Sequence, residues 1–192
     1  MTAPPIVLAS GSPRRHELLA SLGVQFDVVI PDIDEAVVDG EAAANYVTRL
    51  AIAKAGVVER PGSLVIAADT TVELHDEIIG KPFDRVEAQT MLRRLSGRTH
   101  RVHTGVAVAW GGRIASAIAT TEVTFVDLTD ADIAWYAATG EPDDKAGAYG
   151  MQGTGNVFVA SISGSPSNVI GLPLATVVAL ARDLGVDLLR GP

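Results

Sequence analysis

Two adjacent arginines, Arg14 and Arg15, stand where a helix is expected to begin. Pro13 is typical of the first helical position, and Ser12 before it predicts the N-cap. The first turn of a helix carries unpaired N–H groups and partial positive charge, so each cation there is disfavoured by about 0.3–1 kcal/mol. An anion held by both guanidinium groups, with the hydroxyls of Ser10 and Ser12 as further donors, would explain them. The pattern therefore indicates a phosphate site, and two solvated arginines are the alternative.

Two lysines are further candidates for binding an anion. Lys54 lies on the apolar face that Val47 and Leu50 form in a predicted helix. A lysine in that position either extends along the edge of the core or reaches into a site. Lys81 stands between a flexible glycine and a rigid proline, a sequence that a surface turn explains equally well.

One carboxylate and one loop complete the set of chemical candidates. Asp69 directly follows the apolar run Leu64-Val65-Ile66-Ala67-Ala68, which predicts a buried strand. Ligands of α/β proteins bind beyond the carboxyl ends of strands, so Asp69 is a candidate general base or metal ligand; a turn or cap aspartate is the alternative. The glycine-rich residues 144–153 have polar groups and a tyrosine at intervals, as a base-binding loop or a plain surface loop would.

The elements that must position these residues alternate along the chain, which predicts an α/β fold. Periodicity and turn residues predict strands over residues 6–9, 25–30, 64–68, 101–109, 114–125 and 157–162. They predict helices over residues 13–22, 43–58, 85–95, 129–140 and 173–185. Hairpin turns are expected at His75-Asp76 and at Gly111-Gly112.

Composition limits the classes of function. The chain has 192 residues, a length typical of one domain, and its 15 basic and 23 acidic residues give a net charge of −8. Such an acidic chain is a poor candidate for binding a nucleic acid polymer or an anionic membrane. There are no cysteines, which excludes disulfides and thiol nucleophiles. No apolar run reaches the ~20 residues that span a bilayer, and no leader is apparent, so we expect a cytoplasmic protein.

Eight segments occur together in a characteristic order. They are Ser10-Gly11-Ser12-Pro13-Arg14-Arg15, Asp34-Glu35, Lys54-Ala55, Ala68-Asp69-Thr70, Gly80-Lys81-Pro82, His103-Thr104-Gly105, residues 144–153 and Asn168-Val169-Ile170-Gly171-Leu172-Pro173. This ordered set resembles the Maf family of nucleoside triphosphate pyrophosphatases over nearly the whole chain. The resemblance implies a mixed, strongly curved sheet flanked by helices, with two lobes around a central cleft in a single domain over residues 1–192. It also implies a cut between the α- and β-phosphates that depends on a divalent metal and gives a monophosphate and pyrophosphate.

The resemblance extends to individual residues. Residues 145–153 are similar to those of the branch of the family that acts on dTTP and UTP. Arg14, Thr70 and Gln152 stand at the positions where that branch carries its specificity residues. The amide of Gln152 offers a donor and an acceptor, which suits the edge of uracil or thymine. The implied catalytic residue is Asp69, and the implied ligands of Mg²⁺ or Mn²⁺ are Glu35 and Asp69. The implied substrate-binding residues are Ser10, Ser12, Arg14, Arg15, Lys54, Thr70, Lys81 and Gln152. We further expect a homodimer.

Two other functions stay open at this point. The same phosphate site would serve a nucleotide-binding regulator, for example of septum formation, that turns nothing over. It would also serve a phosphatase that releases orthophosphate. Only the pyrophosphatase needs Asp69 within one water molecule of the α-phosphorus, as general base or as metal ligand.

Overall fold

The structure, a computed structural model, describes residues 4–58 and 60–189 as a mixed α/β fold. Within these residues one seven-stranded sheet has the order β2-β1-β3-β5-β6-β7, with β4 paired to β3. The strands are β1 Ile6–Ala9, β2 Asp27–Val29, β3 Leu64–Leu74, β4 Glu77–Ile79, β5 Thr99–Trp110, β6 Arg113–Phe125 and β7 Val159–Ser163. β1 pairs in parallel with β2 and β3, and the remaining pairs are antiparallel. The predicted mixed sheet flanked by helices is confirmed.

All five predicted helices are present, and there is one additional helix. They are α1 Pro13–Ala20, α2 Ala43–Val57, α3 Arg85–Leu95, α4 Asp130–Ala137, α5 Pro166–Ile170 and α6 Leu174–Asp183. The short α5 is the addition, and α1 and α4 end earlier than predicted. The start of the predicted strand at residue 157 instead belongs to a 3-10 turn, Thr154–Phe158. No helix within the described ranges is long and apolar enough to cross a membrane.

The third strand differs from its prediction in a way that matters for the site. It continues through Asp69 to Leu74, and Asp69 pairs with Gly105 of β5. The expectation that Asp69 follows the end of its strand is therefore wrong. β1 is the strand that ends here, because its last residue, Ala9, lies opposite Ala67. The strand whose carboxyl end borders the site is therefore β1, and the middle of β3 lies beside it.

The sheet separates apolar residues into distinct cores. Ala68 belongs to a core that α6 covers, whereas Ala67 on the opposite face packs with residues of α2. Farther along β3, Val72 belongs to another core, formed with α3 and α4. Asp69 and Thr70 therefore lie where the strand passes from one set of cores to the next.

Candidate active site

A pocket of about 490 Å³ lies beside Asp69 and Thr70, where β3 runs from one set of cores to the next. Its lining contains every residue that the sequence analysis assigned to the site. They are Ser10, Ser12, Arg14, Arg15, Glu35, Lys54, Asp69, Thr70, Lys81 and Gln152. The segment after β1 and the first turn of α1 form one wall, α2 and β3 form another, and the glycine-rich loop forms a third.

The centre of the pocket is an ion triplet around one lysine. The Nζ atom of Lys54 lies 2.7 Å from Oδ1 of Asp69 and 2.6 Å from Oε1 of Glu35. The side chains of Lys54 and Asp69 are only 7% and 10% exposed, whereas that of Glu35 is 49% exposed. A charge at such burial needs a partner, because its desolvation is otherwise uncompensated. Of the two interpretations of Lys54, the structure thus supports a side chain that reaches into the site.

Gly105 determines how closely α2 approaches this centre. A Cβ atom built on Gly105 would lie 2.3 Å from the carbonyl oxygen of Val47, a distance that real Cβ atoms essentially never show. Only glycine therefore lets the backbone of α2 rest against β5 at this point. Because Gly105 is the register partner of Asp69, this contact sets the spacing between Lys54 and Asp69.

Glu35 reaches the lysine from the segment between β2 and α2. Burial tends to raise the pKa of Glu35, but the hydrogen bond and charge of Lys54, with the charges of Lys81 and Arg15, hold it below its ordinary value. The hydroxyl of Tyr46 donates to the carbonyl oxygen of Glu35 at 3.0 Å. Tyr46 lines the pocket and was not predicted from the sequence, where its place two turns before Lys54 was the available signal.

Arg15 is held from three sides. Its Nε donates to the carbonyl oxygen of Gly171 at 2.8 Å, Nη1 to Oγ of Ser10 at 3.1 Å and Nη2 to Oγ1 of Thr70 at 3.1 Å. Burial lowers its pKa, which the charge of Asp69 opposes, and an arginine keeps its charge in proteins. A guanidinium has five N–H donors, so one on Nη1 and one on Nη2 remain for a ligand.

Arg14 takes a different role from its neighbour. Its Nη1 lies 3.0 Å from Oδ2 of Asp144, with side-chain exposures of 27% and 61%. This ion pair joins the first turn of α1 to the glycine-rich loop. Asp144 is a further pocket residue that no local pattern distinguished within the loop.

Several polar groups of the pocket have unused hydrogen-bonding capacity. Oγ of Ser10 accepts from the N–H of Ser12 at 3.2 Å and from Arg15, so its proton is available. The Ser12 side chain occupies the N-cap without capping the helix. The side chains of Lys81 and Gln152 are exposed and make no hydrogen bond with any residue that the structure describes. These groups are free to bind a ligand.

The glycine-rich loop is tied together at its base by Glu141. The carboxylate of Glu141 accepts from the Tyr136 hydroxyl at 2.9 Å, from the N–H of Thr154 at 2.8 Å and from the N–H of Gly155 at 3.2 Å. Because these donors lie on both sides of Gln152, Glu141 closes the segment that presents this side chain to the pocket.

A second anchor holds the loop against the core. The buried Tyr149 has its hydroxyl 2.8 Å from Nε2 of His100. Burial lowers the pKa of His100 to about 4 and raises the pKa of Tyr149, so the tyrosine O–H donates to a neutral imidazole. Both anchors were missed from the sequence, because His100 lies 49 residues from Tyr149 and no local pattern marks Glu141 as the acceptor for its three donors.

Known proteins are similar to this chain over nearly its whole length. A profile of the family described as "Maf-like protein" matches residues 5–184. A protein of Myxococcus xanthus (strain DK1622) named dTTP/UTP pyrophosphatase is 55% identical over 185 residues, which are 95% of this chain and 94% of that protein. Proteins of the same name from Anaeromyxobacter dehalogenans (strain 2CP-C) and Escherichia coli O157:H7 are 52% and 51% identical over 190 and 178 residues. These alignments cover 97% and 91% of this chain, and 97% and 90% of the two relatives.

Proposed function

The chain belongs to the Maf family, and on that premise we propose that its pocket hydrolyses dTTP and UTP to the nucleoside monophosphate and pyrophosphate. The protein is an enzyme, a hydrolase of nucleotide metabolism. The observation that carries the proposal is the buried pair of Lys54 and Asp69 in a pocket that also contains Arg14, Arg15 and Lys81. In a chain with a net charge of −8, this local concentration of cations suits a polyanion such as a triphosphate.

In this proposal the phosphates bind at the beginning of α1. Arg15 offers its two remaining N–H groups, a geometry that matches two oxygens of one phosphate. The hydroxyls of Ser10 and Ser12 and the free N–H groups at the start of the helix are additional donors. Lys81, and Arg14 through its remaining donors, neutralise charge at the mouth of the pocket. Lys54 supplies charge at its centre.

Asp69 is the proposed general base. Its Oδ1 atom is committed to Lys54, and its Oδ2 atom accepts no hydrogen bond from the described residues. Oδ2 is therefore the atom that takes the proton from the attacking water. The lysine holds the carboxylate in one orientation, and because Asp69 lines the pocket we expect its second oxygen to be the one that a water molecule there reaches.

The residues present fit a divalent cation. Oε1 of Glu35 and Oδ1 of Asp69 lie 2.6 and 2.7 Å from Nζ of Lys54, so the two carboxylates converge and could share a cation beside the lysine. Mg²⁺ is typically held by one or two carboxylates, with water and substrate phosphates completing its octahedron. No group of three or more His, Cys, Asp or Glu side chains that could hold a metal ion occurs in the described part of the chain, and the two proposed ligands are Glu35 and Asp69. When bound, Mg²⁺ or Mn²⁺ would neutralise phosphate charge and lower the pKa of water.

Product analysis tests the reaction. Purified protein is incubated with each nucleoside triphosphate and Mg²⁺ or Mn²⁺, and the products are separated by anion exchange. The proposal expects monophosphate and pyrophosphate in equal amounts from dTTP and UTP. Orthophosphate and a diphosphate would indicate a phosphatase instead, and unchanged nucleotide would indicate a binding protein such as the septum regulator.

The base preference gives a separate prediction. We expect kcat/KM for UTP and dTTP to exceed that for CTP at least ~10-fold, since a site that hydrogen-bonds one edge rejects the exchanged edge. The variant Gln152→Ala should reduce this ratio, because it removes the free amide in the pocket. Steady-state rates of pyrophosphate release measure both. Gln25→Ala, an exposed glutamine outside the pocket, is the matched control. Equal kcat/KM for UTP and CTP in the wild type would contradict the assignment.

A homodimer is proposed through the free edge of β6. Over residues 113–120 no strand of the described chain lies on the side away from β5, since β7 pairs with β6 only from Glu122 to Phe125. Residues 114–121 contain no charge and no proline, the usual guards of an open edge, and Ile114 and Ile118 are 45% and 40% exposed. Two copies can pair these edges antiparallel about a two-fold axis.

Light scattering measures this association. We expect a mass of twice 19.9 kDa for the wild type and a shift to monomer for Ile118→Lys, because the lysine places a charge on each copy at the paired edges. Val86→Lys, which replaces an exposed valine of α3, is the control and should stay dimeric. A monomeric wild type would refute the proposal.

A single two-lobed domain over residues 1–192 and a cytoplasmic location belong to the same proposal. One continuous sheet joins the cores on both sides of the pocket, which supports two lobes within one domain. The first and last three residues of that range lie outside the described residues. The location follows from the substrates, which are nucleotides of the cell interior.

A further inference from the structure

A line of hydrogen bonds runs from Arg15 into the interior of the sheet. Nη2 of Arg15 donates to Oγ1 of Thr70, which lies 2.9 Å from Oγ1 of Thr104. Oγ1 of Thr104 in turn donates to the backbone carbonyl oxygen of Asn168 at 3.0 Å. Thr104 and Asn168 are fully buried and do not line the pocket, so neither can touch a ligand there.

The direction of this line follows from counting protons. A carbonyl oxygen only accepts, so the single proton of Thr104 is committed to Asn168. In the pair of threonines, Thr70 must therefore be the donor and Thr104 the acceptor. The proton of Thr70 then points away from the pocket, and its lone pairs are left for Arg15. Its other acceptor, the carbonyl oxygen of Gly171, is farther away at 3.4 Å and already accepts from Arg15.

The far end of the line is rigidly held. The side chain of Asn168 donates from Nδ2 to the carbonyl oxygen of Val102 at 3.0 Å and to Oγ1 of Thr121 at 2.9 Å. These bonds attach Asn168 to β5 and β6 at once. The acceptor for Thr104 is thus fixed to the same strands that carry Thr104 and Gly105.

We propose that Thr104 is a positioning residue for phosphate binding, acting through Thr70 on the plane of the Arg15 guanidinium. With Thr70 fixed as an acceptor, Arg15 has three acceptors at Gly171, Ser10 and Thr70, and its two remaining N–H groups are held toward the pocket. Thr70 then contributes to binding the phosphates of the nucleotide and not to recognising its pyrimidine ring. The inference rests on the proposed function in that Arg15 binds phosphate.

The test compares Thr104→Val, which removes the hydroxyl, with Thr104→Ser, which keeps it. The probe is inorganic pyrophosphate with Mg²⁺, titrated calorimetrically, followed by kcat and KM for dTTP. We expect Thr104→Val to raise the Kd for pyrophosphate and the KM for dTTP about 10-fold, with kcat changed less than about 3-fold. Thr104→Ser should stay within about 2-fold of the wild type in all three.

Thr124→Val is the matched control. Thr124 is a half-buried threonine of β6 whose hydroxyl bonds to that of Thr99, outside the pocket and outside the line from Arg15 to Asn168. We expect it to leave the Kd for pyrophosphate unchanged. Three results would overturn the proposal: wild-type binding by Thr104→Val, weak binding by Thr104→Ser, or an equal rise of Kd in Thr124→Val.

A second variant covers the case in which Thr104→Val does not fold. Thr70→Val removes the acceptor itself at a partly exposed position. We expect it to raise KM for UTP and CTP by the same factor, and a changed ratio between them would overturn the role assigned to Thr70. Pyrophosphate binding is measured without turnover. A wild type that binds pyrophosphate but hydrolyses no nucleotide would therefore contradict the proposed function alone.

Discussion

Asp69→Asn is expected to lower kcat for dTTP and UTP by a factor of about 100 or more, the scale on which removal of a general base acts. The amide keeps the shape of the carboxylate, so the buried contact with Lys54 keeps an acceptor. It cannot take a proton from water, and it removes one of the two charged oxygen ligands proposed for the cation. KM should change much less than kcat, because the phosphate donors on α1 are untouched.

The control for this variant is Asp76→Asn. Asp76 lies in the turn that follows β3, is exposed, and pairs with Arg101 outside the pocket. Its backbone has φ of 64°, a conformation that asparagine adopts readily. We expect wild-type kcat for it. Circular dichroism establishes that both variants are folded. If Asp69→Asn keeps more than about a tenth of the wild-type kcat, Asp69 is not the general base.

Lys54→Met is expected to lower both stability and activity. It leaves Asp69, whose side chain is 10% exposed, without its counter-charge and beside the carboxylate of Glu35. Removing one partner of a buried ion pair typically costs about 3–5 kcal/mol, because the other charge stays desolvated. Urea unfolding measures the loss of unfolding free energy. We also expect kcat/KM for dTTP to fall at least ~100-fold, since the charge at the centre of the pocket is gone.

Magnesium provides an internal check on this second variant. With the ammonium removed, the two carboxylates face the same vacant point, so Mg²⁺ should bind there and raise the unfolding free energy of Lys54→Met by linkage. Arg49→Met serves as control, because Arg49 lies on the same helix and pairs with Glu41 near the surface. Its loss should be far smaller and independent of Mg²⁺. A Lys54→Met protein as stable as the wild type would show that the buried pair contributes little.

The sequence predicted the residues whose local placement is costly. Two arginines in the first turn of α1 are unfavourable beside the helix dipole, and a lysine on the apolar face of α2 is unfavourable in a core. Each of these placements therefore indicated a partner outside its own helix. The structure places the arginines at the second and third positions of α1 and buries the lysine against Asp69. The prediction placed Asp69 after the end of its strand, because a charge within a buried strand is tolerated only when another element neutralises it.

The supporting residues could not be predicted in the same way. Thr104, Asn168 and Gly171 have ordinary local surroundings, and their roles depend on contacts with partners 34 to 156 residues away along the chain. The helix α5 was not predicted from the sequence for a different reason. It has only five residues, too few to display an apolar periodicity, although it begins with Ser-Pro as α1 does.

The contact of α2 with β5 at Gly105 limits which parts of the protein can diversify. Even a methyl group at this position would push the helix away from the strand pair that carries Asp69, and Lys54 would move with it. A displacement of about 1 Å at a reacting centre can cost two orders of magnitude in rate. We therefore expect the spacing between α2 and the sheet to stay the same as the protein evolves. New substrate preferences are expected to evolve in the segments around the mouth of the pocket, where a changed side chain alters recognition and leaves the reacting charges where they are.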